Sequence, residues 1–223
     1  AQRWGAGVEL RKQIADRGIA PATSEALGLG YAPREGLKAA LLEQGFSQAL
    51  LGRAGLVVQR EDGSVVDRFR NRLMIPICRD TGSVIAFGGR AVNDDQQPKY
   101  LNSPETPIYS KSRTLYGLNL AKSAIRQGGF AVLVEGYFDF AQVYQAGFEA
   151  VVASCGTALT PQQAQQLRRF TGKVVLSFDP DAAVSTAQQL FHARGYDAVS
   201  VADVTEALGI NPPILLGFPD GTL

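Results

Sequence analysis

The sequence predicts an α/β protein in which a mixed α/β amino-terminal lobe precedes a domain built on a mainly parallel sheet flanked by helices. Two apolar runs, AVLV at 131–134 and KVVLSF at 173–178, are typical of strands buried on both faces of a parallel sheet. Strand and helix patterns alternate over residues 118–202, which favours such a sheet. The region 56–92 instead repeats an apolar–turn–apolar pattern, typical of antiparallel hairpins. We therefore place the boundary between residues 1–117 and 118–223.

The amino-terminal lobe begins with short helical patterns. A helix is expected over 8–20, ending at Gly18, and a second begins after Pro21 near Thr23. Residues 28–33 form a turn or short strand, and two more helices are expected at 35–44 and 47–53. The hairpins turn at 61–63 and 80–82. Residues 93–107 are polar, and their length indicates a functional loop or a linker.

The second half alternates regularly. Thr160 and Pro161 form an N-cap and first-turn pair for one of its helices. The predicted helices are 118–127, 138–146, 160–170 and 181–194. The predicted strands are 130–135, 150–154, 173–178 and 197–202.

Charge is divided unevenly along the 223 residues. Residues 1–128 carry 18 Lys and Arg against 12 Asp and Glu (net +6), whereas residues 129–223 carry 4 against 9 (net −5). A basic half beside an acidic half suits a polyanion-binding surface next to a metal site, although ordinary surface variation would give the same totals. Cys78 and Cys155 stand apart from any Cys/His cluster, so we expect no zinc. No stretch is long and apolar enough for a membrane helix, and we expect no membrane partner.

Acidic residues follow both buried strands. Glu135 ends the first strand, and Asp179 and Asp181 end the second. Open α/β sheets place ligands at the carboxyl ends of their strands, and carboxylates are preferred ligands of Mg²⁺. Asp139 lies one helical turn after Glu135, where it could be a ligand, a supporting acid or a helix-start carboxylate.

Basic residues cluster between positions 68 and 113. On an extended strand Arg68, Arg70 and Arg72 project to one side, where phosphates or solvent would face them. The two glycines of FGGR (87–90) either let the backbone approach a ligand closely or form a strand-ending turn. Basic groups around Tyr100 and Asn102 suit a nucleic-acid strand, because Lys99 and Lys111 can hold phosphates and an aromatic ring can stack on a base.

Seven segments in order carry a family resemblance. They are RFRNRLMIPI (68–77), FGGR (87–90), PKYLNSPET (98–106), LYGL (115–118), VEGYFD (134–139), SCGTALT (154–160) and FDPDAA (178–183). Over roughly residues 14–202 the chain resembles the catalytic core of bacterial DnaG-type DNA primases. The resemblance implies a template- and nucleotide-binding lobe followed by a TOPRIM domain, the metal-binding α/β fold shared with topoisomerases and some nucleases. The zinc-binding and helicase-binding domains of the family are not recognisable in this sequence.

The implied activity is template-directed synthesis of short RNA primers on single-stranded DNA, a metal-dependent nucleotidyl transfer from ribonucleoside triphosphates. Catalytic residues would be Glu135, Asp179 and Asp181, and Mg²⁺ (or Mn²⁺) would be held by these three with Asp139. Eight residues would bind the template, the triphosphate and the initiating nucleotide, and we do not assign them individually to these three ligands. They are Arg70, Asn71, Arg72, Arg90, Lys99, Tyr100, Asn102 and Lys111. We expect a monomer in the bacterial cytoplasm, associated with the nucleoid. It would meet replicative helicase and single-strand-binding protein only through other domains.

The sequence also departs from the family pattern. Pro180 and Val184 stand where the family usually has glycine, and a third acidic motif, Asp-Pro-Asp, is missing unless Asp203 or Asp220 substitutes. The TOPRIM domain is thus expected to be incomplete or divergent after about residue 202, with reduced activity. Two alternatives stay open: another TOPRIM enzyme, such as a nuclease or topoisomerase fragment, and a non-catalytic nucleic-acid-binding module.

Overall fold

The computed structural model describes residues 8–155, 159–177 and 215–217. Contacts divide the chain into two compact units. The first comprises residues up to Ile77 together with Val84–Lys111, and the second comprises Cys78–Ser83 and the residues from Ser112 onward. Within the described part of the chain, no helix is long and apolar enough to cross a membrane.

The first unit combines short helices with two antiparallel arrangements. Its helices are α1 (Val8–Ala15), α2 (Pro21–Ala26), α3 (Leu37–Glu43) and α4 (Gln48–Arg53). Its strands are β1 (Gly30–Ala32), β2 (Val57–Gln59), β3 (Val65–Asp67), β4 (Arg72–Cys78), β5 (Val84–Ala91) and β6 (Tyr100–Asn102). The sheet order is β1-β4-β5-β6, and β2 and β3 form a separate hairpin. The predicted hairpins and helices are present, with bounds shifted by a few residues.

Long-range capping connects the hairpin to α3. Both carboxylate oxygens of Asp67, at the end of β3, accept hydrogen bonds from the backbone N–H groups of Leu37 and Lys38, at 2.9 and 2.8 Å. These are first-turn donors that have no partner inside the helix. Asp67 is buried at 5% exposure, so its negative charge acts on these two N–H groups and not on solvent. One carboxylate thereby fixes where α3 begins.

The second unit is the predicted helix-covered sheet. Its helices are α5 (Leu118–Gly128), α6 (Tyr137–Gln145) and α7 (Pro161–Arg168), and its strands are β7 (Ala131–Val134), β8 (Val151–Ala153), β9 (Lys173–Leu176) and β10 (Leu215–Gly217). The order is β10-β9-β7-β8. β7 runs parallel to both β8 and β9, whereas β10 is antiparallel to β9. The α/β fold class is confirmed, and the predicted elements 181–194 and 197–202 lie outside the described residues.

The core of the second unit lies around β7. All four of its residues are buried, as expected for a central parallel strand. Phe140 of α6 and Leu167 of α7 are fully buried with it. The predicted cap at Thr160 is confirmed, since its hydroxyl oxygen accepts from the N–H of Gln163 at 3.1 Å. In return, the side-chain oxygen of Gln163 accepts a hydrogen bond from the N–H of Thr160. The side-chain amide of Gln163 also donates to Thr114 O at 2.9 Å.

Candidate functional site

Glu135 lies at the carboxyl end of the central strand. On one side the N–H of Ser154 donates to Val134 O, and on the other the N–H of Ser177 donates to Leu133 O at 2.8 Å. The backbone of Glu135 is held as well, because its own O accepts from Cys155 N–H at 2.9 Å. Its side chain is exposed and makes no hydrogen bond or ion pair with another described residue. The carboxylate is therefore available to a ligand at the sheet edge.

Asp139 has a structural task at the start of α6. Its Oδ2 accepts a hydrogen bond from the N–H of Gly136 at 2.8 Å, and a Cβ at position 136 would lie 3.1 Å from that oxygen. This is the helix-start role considered from the sequence, and it occupies one of the two carboxylate oxygens. Oδ1 receives no hydrogen bond from a described residue, so a ligand role through that oxygen stays a prediction.

An aromatic cluster lies beneath this edge. Tyr116 exchanges two backbone hydrogen bonds with Ala153 of β8, and its ring meets those of Tyr137 and Phe140 edge-on at 4.9 and 5.0 Å. Burial, with smaller contributions from the Cys155 and Cys78 thiols, raises the pKa of Tyr116 well above its ordinary value. Tyr116 thus acts as a neutral packing residue under α6.

Gly117 completes the cluster. Its φ of +80° is in the left-handed region, and a Cβ there would lie only 2.0 Å from Cε2 of Phe140. Glycine at this position therefore lets α5 begin directly against the ring of Phe140. Because Phe140 is on α6, the packing at Gly117 also supports the helix that carries Asp139.

The other predicted acids cannot be placed. Asp179 and Asp181 lie outside the described residues, as do Pro180, Val184, Asp203 and Asp220. Within the described part of the chain, no three His, Cys, Asp or Glu side chains come together as a metal site. The carboxylate chemistry of Glu135 and Asp139 nevertheless fits a hard divalent cation.

The first unit contains a basic cleft of about 670 Å³. We use the name basic cleft for the cavity whose charged walls are Arg34, Arg68, Arg70, Arg72 and Asp95. Four arginines and one aspartate line this cleft, so its net positive charge favours anions such as phosphates.

The expected extended strand over 68–72 is wrong. Strand β3 ends at Asp67, β4 begins only at Arg72, and Asn71 between them has φ +51°. The Asn71 conformation is held by a 2.6 Å bond from the Tyr31 hydroxyl to its Oδ1, and by its backbone bonds to Pro33 and Val92. Because the chain bends here, Arg68, Arg70 and Arg72 do not lie along one extended strand.

Each arginine of this segment has its own backbone partner. Arg68 donates to Asn102 O at 3.0 Å, Arg70 to Arg34 O at 3.2 Å, and Arg72 to Gly89 O at 3.3 Å. Burial lowers the pKa values of Arg68 and Arg72. Arg70, Asn71 and Arg72 nevertheless line the same cleft, so the structure brings these three predicted residues together.

The interpretation of the FGGR glycines as a strand-ending turn is wrong, and the structure leaves no space for a ligand above Gly89. Gly88 and Gly89 lie inside β5 and do not end it. A Cβ at Gly89 would lie 2.8 Å from Cδ1 of Phe69 and 3.0 Å from Cδ of Arg72, so the space above this glycine is filled by the protein itself. The glycine therefore accommodates Phe69 and the stem of Arg72, with no room for a ligand directly above it.

Arg90 lies apart from the basic cleft. It is buried at 6% exposure, and its Nη1 donates to Oε1 of Gln13 at 2.6 Å. Its Nε is buried without a hydrogen-bond partner among the described residues. A nucleotide-binding role for Arg90 remains a prediction that nothing in the described contacts tests.

The remaining predicted residues lie along or beyond β6. Lys99 and Tyr100 are exposed, with Tyr100 at 43%, whereas Asn102 is half-buried and accepts from Arg68 through its backbone. Lys111 begins a short 3₁₀ helix, and its N–H donates to Glu105 at 2.7 Å. An exposed aromatic beside an exposed lysine is suited to stacking and phosphate contact.

Arg34 is a cleft residue that the sequence reasoning missed. It is exposed in the loop after β1, and its carbonyl fixes Arg70. It lies 36 positions before Arg70, and no motif surrounds it. Composition showed only that this half of the chain is basic. Arg34 could not be identified from the sequence, because only the folded chain brings its loop beside that of Arg70.

Comparisons with protein families match almost the whole chain. The profile described as "DNA primase catalytic core, N-terminal domain" matches residues 5–122, and the "Toprim domain" profile matches residues 129–201. The DNA primase of Clostridium acetobutylicum is 46% identical over 197 residues, which are 87% of this chain and 32% of that protein. The DNA primase of Deinococcus radiodurans is 46% identical over 171 residues, 75% of this chain and 30% of that protein. The chain thus spans about a third of the length of these curated relatives.

Solved structures show the same likeness. The RNA polymerase domain of Mycobacterium tuberculosis primase DnaG is 36% identical, with a TM-score of 0.71 over 85% of this chain and 64% of that one. A DnaG primase catalytic domain bound to single-stranded DNA is 30% identical, with a TM-score of 0.73 over 94% and 76% of the two chains. The Aquifex aeolicus primase, solved as its zinc-binding and RNA polymerase domains, is 29% identical, with a TM-score of 0.73 over 95% and 57%.

Proposed function

The chain belongs to the DnaG family of DNA primases, and from this premise we propose that it provides the catalytic core for synthesis of RNA primers on a single-stranded DNA template. The reaction joins the 3′-oxygen of one nucleotide to the α-phosphate of an incoming ribonucleoside triphosphate, and pyrophosphate leaves. The observation that carries the proposal is the exposed carboxylate of Glu135 at the end of a central parallel strand. A similar primase catalytic domain was solved bound to single-stranded DNA, which supports the choice of template.

In this proposal the basic cleft holds phosphates. Its arginines carry several N–H donors each, and their backbone bonds to Arg34, Gly89 and Asn102 hold them in fixed positions. Tyr100 offers an exposed ring on which a base can stack, and Lys99 offers a neighbouring ammonium. Arg90, Asn102 and Lys111 are kept as candidates, without a division among template, triphosphate and initiating nucleotide.

The metal would bind at the edge that carries Glu135. Toprim primases generally use a divalent metal, and we propose Mg²⁺ or Mn²⁺. When bound, the ion would lower the pKa of the attacking hydroxyl and neutralise the triphosphate. Glu135 supplies an uncommitted carboxylate, and Asp139 supplies Oδ1 while its Oδ2 keeps α6 in place. The family resemblance leads us to propose Asp179 and Asp181 as further ligands beside Glu135.

One assay separates this function from its alternatives. The protein is incubated with single-stranded template, ribonucleotides and Mg²⁺ or Mn²⁺. New short RNA supports the primase, degraded DNA indicates a nuclease, and binding without either product indicates a non-catalytic module. Pro180 and Val184 lead us to expect slower synthesis than by a family member that has glycine at these two positions.

Two substitutions test the assigned roles. Asp179→Ala should lower primer synthesis by roughly 100-fold or more while single-stranded DNA binding stays nearly unchanged, because the carboxylate serves the metal. Lys99→Ala should instead weaken DNA binding, since an exposed phosphate contact is lost. Synthesis is measured by radiolabelled ribonucleotide incorporation and binding by fluorescence anisotropy. The metal assignment is wrong if Asp179→Ala reduces only binding.

We place this activity in the bacterial cytoplasm, near the nucleoid, within a primosome. Contacts with replicative helicase and single-strand-binding protein would be made by regions of the whole primase beyond this chain, since its relatives are about three times as long. A monomer would suffice for the reaction as described.

A further inference from the structure

A second cavity adjoins the basic cleft in the first unit. It has a volume of about 360 Å³ and shares Arg34 and Arg70 with the basic cleft. We call it the hairpin cavity, because Arg60, Val65 and Asp67 of the β2–β3 hairpin line it together with Lys38 of α3. The two cavities therefore meet at a common wall of two arginines. None of Arg34, Lys38 and Arg60 belongs to the motifs that carry the family resemblance.

The positive charge of the hairpin cavity is not neutralised by its acidic neighbours. Asp67 is buried and already accepts two N–H bonds from the start of α3. Asp62, in the turn of the hairpin, accepts from the N–H and hydroxyl of Ser64, and these bonds lower its pKa more than Arg60 does. No ion pair within 4.0 Å joins the basic residues of this cavity to a carboxylate in the described part of the chain. Glu35 is the one lining acid that is exposed.

The basic groups keep donors for a ligand. Lys38 uses one of its three ammonium N–H bonds on Val65 O, at 2.5 Å. Arg70 donates to Arg34 O through Nε, so its two Nη groups remain available to a ligand. Arg60 is exposed, and its side chain makes no hydrogen bond to a described residue. Cations gathered around an open cavity repel one another unless an anion lies between them. Phosphate groups match this arrangement because the Arg fork binds two oxygens at once.

We propose that the hairpin cavity is a second phosphate-binding site, which holds the backbone of the nucleic-acid strand that occupies the basic cleft. This inference rests on the proposed function, and it adds Lys38 and Arg60 to the binding residues. The shared wall of Arg34 and Arg70 makes one continuing strand a better occupant than two separate ligands. The recognised chemistry is a phosphodiester, which either the DNA template or the new RNA strand can supply.

The test uses the charge-neutral variants Arg60→Gln and Lys38→Gln/Arg60→Gln. Arg53→Gln is the matched control, since Arg53 is an exposed arginine at the end of α4 that lines neither cavity. Dissociation constants for a labelled single-stranded DNA and for a DNA–RNA hybrid of equal length are measured over a range of salt concentrations. Each lost phosphate contact should flatten the slope of log K against log salt by roughly 0.7 on a single strand.

The double variant should bind roughly 5- to 10-fold more weakly at moderate salt, with a slope lower by roughly 1.4, whereas Arg53→Gln matches the wild type. Loss on the single strand identifies the template, and loss only on the hybrid identifies the RNA product. Circular dichroism verifies that the variants fold. Arg60→Gln alone changes only an exposed side chain and should give about half of the loss in affinity. Wild-type affinity and slope in the double variant on both ligands would overturn this inference and leave the proposed function intact. A wild-type protein that binds neither ligand would overturn both.

Discussion

Replacement of Gly117 by alanine should destabilise the second unit more than an ordinary surface change does. The new Cβ would lie 2.0, 2.4 and 2.7 Å from three ring atoms of Phe140. Carbon atoms prefer about 3.5–4.0 Å, so the ring would have to move by more than an ångström. Phe140 has no exposed surface, and its ring is enclosed by Tyr116 at 5.0 Å and Tyr144 at 5.5 Å. The clash therefore cannot be relieved by turning the ring toward solvent.

Two contributions set the expected size of the effect. A left-handed φ costs a residue with a Cβ about 1–2 kcal/mol. Forcing extra volume into a packed core costs about 1–3 kcal/mol. Together they predict a loss of about 2–5 kcal/mol in the free energy of unfolding, or roughly 5–20 °C in the unfolding midpoint for a chain of this size.

Denaturant and thermal unfolding followed by circular dichroism measure this loss. Gly172→Ala is the control, because a Cβ at Gly172 meets nothing within 4 Å. The double variant Gly117→Ala/Phe140→Leu tests the cause, since leucine lacks the ring atoms that clash. It should be destabilised by less than the sum of the two single variants. A fully additive pair, or a Gly117→Ala loss no larger than that of Gly172→Ala, would refute the reasoning.

Three further predictions follow from individual contacts. Asp139→Asn keeps an acceptor for the N–H of Gly136 and should unfold in denaturant like the wild type. Asp139→Ala should lose about 1 kcal/mol of unfolding free energy. Equal stability of the two variants would contradict the capping role. Gly89→Ala should cost about 1–3 kcal/mol because its Cβ would lie 2.8 Å from the ring of Phe69, and unchanged thermal stability would count against that packing. Tyr116 keeps its proton in the folded state above pH 10.0, where the unfolded chain loses it, because burial raises its pKa. Its contribution to stability is complete below that pH and should fall by up to about 1.4 kcal/mol per pH unit above it, a loss that Tyr116→Phe should lack in denaturation curves.

The second unit could be predicted well from sequence because its signals are local. Each buried strand is a short apolar run, and the helical stretches between β7, β8 and β9 require parallel pairing. Thr160 and Pro161 specify a helix start by chemistry contained within four residues. Glu135 follows as the residue after such a strand. The family resemblance then added Asp179 and Asp181, whose surroundings lie outside the described residues.

The first unit was harder to predict because its decisive contacts are long-range. The bend at Asn71 depends on Tyr31, 40 residues away, and asparagine tolerates a positive φ without demanding it. Gly89 reads as a flexible position, yet its purpose is to leave room for Phe69. Asp67 fits a strand end in sequence, while its carboxylate caps a helix that begins 30 residues earlier. Basic character was visible in composition, but the cavities that gather it were not.

The position of β7 also has a consequence for how the protein reaches its folded state. Ala131 pairs with Val174 of β9, which the ribosome adds some 40 residues later. During synthesis the apolar run 130–134 is therefore exposed before β9 can pair with it. A short apolar β-forming segment of this kind is prone to pair with other chains, and a flanking charge restrains such aggregation. Glu135 is the charge at the end of that run. We therefore expect a neutral substitution of Glu135 to lower the soluble yield of the protein, an effect separate from any loss of catalysis.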